Sequence, residues 1–177
     1  MDDLAARVRR IEDRFAIQDL VVAYATSLDD RQWSAIAESF TREGVFASPN
    51  STTVGRAEIV ANFQAKLSKY SWSLHDPHGH AIAFVDDDHA RGTVIAYSEL
   101  GTPEHTLCTS IRYLDDYERE EGRWRFARRT VLSLYGLTLA DRAAGGLLAQ
   151  ERKRWPGRAP ELAELPDIDR RFAGYPG

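Results

Sequence analysis

Apolar residues recur at Leu4, Val8, Ile11 and Phe15, a 4-3-4 spacing that lines one face of a helix. The spacing restarts at Ile17, Val21, Tyr24 and Leu28, placing Tyr24 in a buried stripe. The two-residue step from Phe15 to Ile17 rotates the apolar face and predicts a kink or break near Ala16. Asp30 suits the N-cap of a short following helix through "RQWSAIAESF", with Trp33, Ile36, Ala37 and Phe40 inward. A strand is predicted over 44–48 ("GVFAS"), then a loop "PNSTTV", then a helix over 56–70 with Ile59, Phe63 and Leu67 as its stripe. Beyond this point the period changes to two. Strands are predicted over 80–86 and 90–100 around the acidic turn "DDDH", and over 105–119 and 123–137 around "EEG". Gly122 supplies the positive φ that the last hairpin needs. A further helix is expected from Leu139, followed by an irregular tail punctuated by Pro156, Pro160, Pro166 and Pro176.

Helices first and mostly antiparallel strands afterwards predict an α+β domain in which a curved sheet wraps the N-terminal helices. We expect one domain over 1–138, with 139–177 as a tail packed on it. The 177 residues suffice for a single sizeable core. Net charge is −4, with a pI near 5.7, which argues against nucleic acid or an anionic membrane surface as partner. No run of about 18 apolar residues exists to span a membrane. The opening "MDDLAARVRR" does not resemble a secretory signal, and cytoplasm is the expected compartment. Cys108 is the only cysteine, excluding an intramolecular disulfide or a cysteine-built metal site.

Two stretches carry candidate chemistry. "HDPHGH" brings His75, His78 and His80 together, but with Pro77 and Gly79 inside it the segment reads as an irregular approach to a strand. Without a cysteine or a clean helical spacing it makes a poor metal site, so no metal is expected. One of these histidines facing a pocket could act as a base if a carboxylate oriented it. In "SLDDR", capping or surface roles are the ordinary reading for both aspartates. If Asp30 caps the next helix, however, Asp29 is free to turn back towards a cavity.

The blocks "AIQDLVVAYATSLDDRQW", "FTREGVF", "HAIAFVDDDHARG" and "RYLDDYEREEGRWRFARRTV" resemble, in order and spacing, the SnoaL-like branch of the NTF2-like superfamily, over roughly 5–136. The resemblance implies a cone-shaped fold, a bent antiparallel sheet enclosing a pocket. It also implies a His–Asp base working without metal or organic cofactor, as in the family's dehydratases and dehydrochlorinases. Asp29 falls on the family aspartate, Tyr24 stands five residues upstream where some members carry a tyrosine, and His75 matches the family histidine, with His78 and His80 as fallbacks. Two positions depart from the pattern: Ser98, beside Glu99, stands where some members have an acid, and Ser133 where they have an arginine. The base carries over, while the groups that would assist a leaving group do not.

Trp72, Trp33, Tyr97 and Phe126 read as core or as the wall of a cavity for a small hydrophobic ligand. Arg128 and Arg129 alternate faces, so at most one of them looks inward, and a buried one needs a carboxylate or an anionic ligand. The expected site comprises His75, Asp29 and Tyr24 for catalysis, and Trp72, His78, His80, Tyr97 and Arg129 for substrate binding. The expected function is a cofactor-independent lyase or isomerase acting on a small hydrophobic cyclic molecule. The rivals are a non-catalytic ligand-binding module, a polyketide cyclase and an epoxide hydrolase. The last would need an acid–arginine–acid set that the sequence does not place. The apolar outer face of an open sheet leads us to expect a homo-oligomer, dimer or trimer, with the tail covering that face or the pocket mouth.

Overall fold

The computed structural model describes residues 2–166. The chain runs α1 (Asp2–Asp29), α2 (Trp33–Ser39), β1 (Phe40–Ser48), β2 (Ser51–Val54), α3 (Arg56–Leu67), β3 (Trp72–Phe84), β4 (His89–Gly101), β5 (Thr106–Glu120), β6 (Arg123–Thr138) and α4 (Leu139–Ala143). Six strands form one sheet in the order β2-β1-β6-β5-β4-β3. All neighbours are antiparallel except β1 and β6, which run parallel. The sheet is curved and not closed, and the helices pack in its concave side, as the α+β pattern predicts. Residue-level irregularities between Pro77 and Gly79, Ser110 and Ile111, and Asp116 and Tyr117 bend the long strands. The β5–β6 hairpin turns through Glu121 (φ 53°) and Gly122 (φ 76°), two left-handed residues that match the strand twist. No described helix is long and apolar enough to cross a membrane.

α1 does not break at Ala16. At 3.6 residues per turn, a two-residue step turns the face by about 200°, so the two apolar stripes lie on opposite sides of one continuous helix. Ile17, Val21, Tyr24 and Leu28 are buried, whereas Leu4 (66% exposed) and Phe15 (60%) face away from the core. The inward side of the first half is polar. Arg10 donates to Asp87, and Asp13 accepts from Arg119 Nη2 (2.7 Å) and Trp124 Nε1 (3.0 Å). Ion pairs to the sheet therefore replace apolar packing there, and an apolar stripe alone picks the wrong face.

Three further expectations are corrected. "STTV" forms β2, hairpin-paired to β1, and is not a loop. "HDPHGH" lies inside β3, an edge strand where a proline removes no ladder bond on its free side. The helix after Leu139 stops at Ala143; Gly145 (φ 83°) ends it, and a short 3-10 turn follows over Gly146–Leu148. Pro176 and the rest of the tail after 166 lie outside the described residues.

The core is aromatic. Tyr24 meets Phe40, Phe63, Tyr113 and Phe126 edge-on at centroid distances of 5.4–6.5 Å. Among these rings sits Arg129, its side chain 1% exposed, forked onto Asp115 through Nε–Oδ1 (2.9 Å) and Nη2–Oδ2 (2.8 Å). The guanidinium carbon lies 4.0–4.5 Å from the centroids of Tyr24, Tyr113 and Phe126. Both charges depend on each other at this depth. Asp115→Asn, which strands the guanidinium, should lower unfolding stability by about 3–5 kcal/mol. The paired change Asp115→Leu with Arg129→Met should cost less, with urea titration measuring both. A single variant as stable as the wild type would refute the dependence.

Candidate active site

Asp29 is the last residue of α1. A carboxylate at a helix C-terminus meets the negative end of the dipole, so this position needs outside donors. It has three: Ser73 Oγ at 2.9 Å, the His75 backbone N–H at 2.8 Å and His75 Nδ1 at 2.7 Å. Burial alone would raise the Asp29 pKa, but the hydrogen bonds and charge of His75, together with Ser73, hold it below the usual carboxylate range. With Nδ1–H donated to Asp29, the ring's Nε2 is the nitrogen left for a substrate. Arg31, in a left-handed conformation (φ 56°), turns the chain sharply and donates Nη1 to Ser73 Oγ at 2.7 Å. Asp30 does not cap α2. The N-cap is Gln32, which makes no side-chain cap bond, and Asp30 is exposed in the turn.

Register decides which other residues share the site. Five residues separate His75 from His80, so a regular strand would point them to opposite faces. The bulge between Pro77 and Gly79 resets the alternation: His75 pairs with Ser98 and His80 with Val94, both on the concave face. His78 takes the extra position and is exposed on the convex side, so it is not part of the site. Trp72 and Tyr97 also lie on the convex side. Trp72 lies across Gly101 and is 44% exposed, and Tyr97 pairs with Asp76 and donates to Glu99 at 2.9 Å. All three were expected to bind substrate; the period-two alternation puts them on the wrong face.

His80 faces inward but is committed to the core. Its Nε2 meets Tyr117 Oη at 3.0 Å, Tyr117 donates to Asp115 at 2.8 Å, and Asp115 holds Arg129. Burial pushes the His80 pKa down to about 4. Tyr24 is 2% exposed, and burial pushes its hydroxyl well above the ordinary tyrosine range, with Tyr113 adding to the rise. Tyr113 is pushed up to about 12, again by burial. Both hydroxyls therefore stay protonated and keep a proton to donate. Sequence reasoning missed Ser73, Arg31, Tyr113, Asp115 and Tyr117. The odd-numbered run Tyr113, Asp115, Tyr117 on β5 is the legible signal, since alternation aims all three at the same face as the buried arginine.

The interior that would hold a pocket is occupied by these rings and by Arg129. A concavity of about 320 Å³ lies elsewhere, lined by Arg7, Arg9, Arg10, Asp13 and Asp87, and another of about 130 Å³ lies on the convex face near Ile95 and Leu134. Neither borders Asp29 or His75. Among the described residues, no three His, Cys, Asp or Glu side chains converge on a possible cation position.

Residues 9–130 match the SnoaL-like domain family. An uncharacterized protein of Mycobacterium tuberculosis strain H37Rv is 26% identical over 141 residues, 73% of this chain and 90% of that protein. The structure is similar to a hexachlorocyclohexane dehydrochlorinase from Novosphingobium barchaimii LL02, with a TM-score of 0.71 at 21% identity over 76% of this chain and 94% of that one. It is also similar to a scytalone dehydratase-like protein from Novosphingobium aromaticivorans, with a TM-score of 0.71 at 16% identity over 92% of this chain and 97% of that one. At these identities the structural likeness establishes the fold.

The depressed pKa of His80 has a consequence with a definite sign. Between its ordinary value of 6.5 and about 4, the unfolded chain binds a proton that the native His80 refuses. Native stability should therefore fall as pH drops through that window. In His80→Phe the loss of thermal midpoint across the window should be smaller than in the wild type. Equal pH slopes would exclude His80 as a buried neutral group.

Proposed function

The chain belongs to the SnoaL-like domain family, and from that premise we propose that it is a cofactor-independent lyase, carrying out dehydration or another β-elimination on a small hydrophobic cyclic substrate. The observation that supports this reading best is the 2.7 Å contact between Asp29 Oδ1 and His75 Nδ1, made by a carboxylate that also grips the histidine's own backbone N–H. In the proposed step His75 Nε2 removes a proton from a substrate carbon. The C–H electron pair becomes the new C=C bond, and the β-substituent leaves with its bonding pair. Asp29 holds the ring in the tautomer that exposes Nε2 and stabilises the imidazolium that forms. The proton is then returned to the leaving group or to water. Tyr24, and Tyr113 beside it, are the hydroxyls proposed to donate to a substrate oxygen, which requires a small opening of the aromatic core.

The departures at Ser98 and Ser133 bear on the substrate. Ser98 stands opposite His75 on the concave face and shares a 2.6 Å hydrogen bond with Thr109 Oγ1. Neutral hydroxyls beside the base suit a leaving group that departs without a strong acid, or an isomerisation in which nothing departs. The rival reading is a non-catalytic ligand-binding module, and the same experiment separates the two. The wild type, His75→Ala, Asp29→Asn and Tyr24→Phe are assayed against a panel of cyclic β-hydroxy ketones and halogenated cyclohexanes. His75→Ala is expected to lower kcat/KM by about 10²–10⁴-fold, the usual contribution of a general base. Asp29→Asn should lower it by a similar order, and Tyr24→Phe by less. Turnover by His75→Ala equal to the wild type removes His75 from the mechanism, and no turnover of any panel member by the wild type favours the binding module.

A further inference from the structure

His75, Ser98, Thr109 and Gly136 form one continuous row across β3, β4, β5 and β6, each directly opposite the next. Opposed residues share a face, so the row lies on the concave side, as the Ser98–Thr109 hydrogen bond requires. At Gly136 the row ends under an aromatic ring. A Cβ built there would lie 2.9 Å from Trp155 Cη2 and 3.1 Å from Cζ2, so the indole occupies the space that only a glycine leaves open. Trp155 comes from the C-terminal tail, outside the residues matched by the SnoaL-like family.

The tail is fastened where it delivers this ring. The Gly136 N–H donates to Arg152 O (2.8 Å), and the Arg154 N–H donates to Gly136 O (2.7 Å). Between them Lys153, its side chain 8% exposed, is held by Glu164 (2.6 Å) and Glu161 (3.2 Å), and Glu164 accepts the Ser133 N–H at 2.9 Å. Farther along, burial raises the pKa of the Tyr70 hydroxyl, two residues before β3 begins, and the charge of Arg158 partly opposes that rise. The strap thus pairs with β6 at the end of the sheet where the dyad lies. Beneath it Ser98 and Thr109 are each 3% exposed.

We infer that the strap completes the His75 site and that Trp155 is its specificity-determining wall, the face on which a cyclic apolar substrate packs opposite the imidazole. Gly136 and His75 are three strand spacings apart, about 14 Å along the sheet and less across its concave side. Ser98 and Thr109 lie between the indole and the imidazole along the row. The inference rests on the proposed site for the use of this space, while the closure itself is tested without turnover.

Diethyl pyrocarbonate modifies accessible imidazole nitrogens, and mass spectrometry reads each histidine separately. The His75 rate is taken relative to His89, whose side chain is 55% exposed. Trp155→Ala is expected to raise this ratio about tenfold. Gly136→Ala, whose new methyl must displace the indole, is expected to raise it in the same direction. Trp155→Phe should stay near the wild type, and Trp72→Ala, on the convex face, should leave the ratio unchanged. An unchanged ratio in both Trp155→Ala and Gly136→Ala overturns the inference and leaves the lyase proposal standing. If one of the two variants fails to fold, which circular dichroism detects, the other decides alone. A null result for His75→Ala in the substrate panel does the converse, sinking the chemistry and leaving the strap. On any panel compound that the wild type turns over, Trp155→Ala should raise KM more than it lowers kcat; the opposite split would count against a wall.

Discussion

The Asp29 carboxylate ties the end of the long first helix to the free edge of the sheet. β3 is an edge strand, and its unpaired N–H groups would otherwise need water or another strand. Asp29 takes up the one at His75 while binding the same residue's ring and the Ser73 hydroxyl. One side chain therefore sets the position of α1 against β3, the rotamer of His75 and the identity of its free nitrogen. It does so at a helix terminus where a negative charge is disfavoured, and the three donors offset that cost. The left-handed turn at Arg31 follows from the same constraint, since the chain must reverse at once if Asp29 is to stay against β3 while α2 starts behind it.

A second polar assembly lies deeper. Arg129, Asp115, Tyr117 and His80 form a hydrogen-bonded chain enclosed by aromatic rings. It spans β3, β5 and β6, and so fixes the relative register of strands whose apolar contacts are forgiving. Asp115 spends both oxygens on Arg129 and one also on Tyr117, leaving it little capacity for a ligand. The arginine that sequence reasoning offered for substrate binding is thus an internal strut.

Periodicity made the strands and helices legible because each has one wet and one dry face. It failed where that premise fails. The first half of α1 turns polar residues inward and apolar ones outward, and β3 carries a bulge that no alternating pattern announces. The aspartate was legible through family spacing and through its odd place at a helix end. The faces of Trp72, His78 and Tyr97 were not, because a single extra residue in a strand exchanges inside for outside. The Arg129–Asp115 pair was half legible: alternation allowed one buried arginine, and a buried arginine demands a carboxylate, but which of Asp115 and Asp116 supplies it depends on register.

The two concave-face histidines have different surroundings. His80 sits where burial outweighs the attraction of Asp115, and Arg129 nearby further disfavours its charge; its pKa falls to about 4. A base that weak has little drive to take a proton near neutral pH, because proton-transfer efficiency falls when the base's pKa lies far below the working pH. His75 has a different neighbour. A carboxylate lies 2.7 Å from one ring nitrogen, and the side chain is 14% exposed. The bulge that brings both rings to the same face does not make them equal. Asp115 reaches His80 only through Tyr117, whereas Asp29 touches His75 directly.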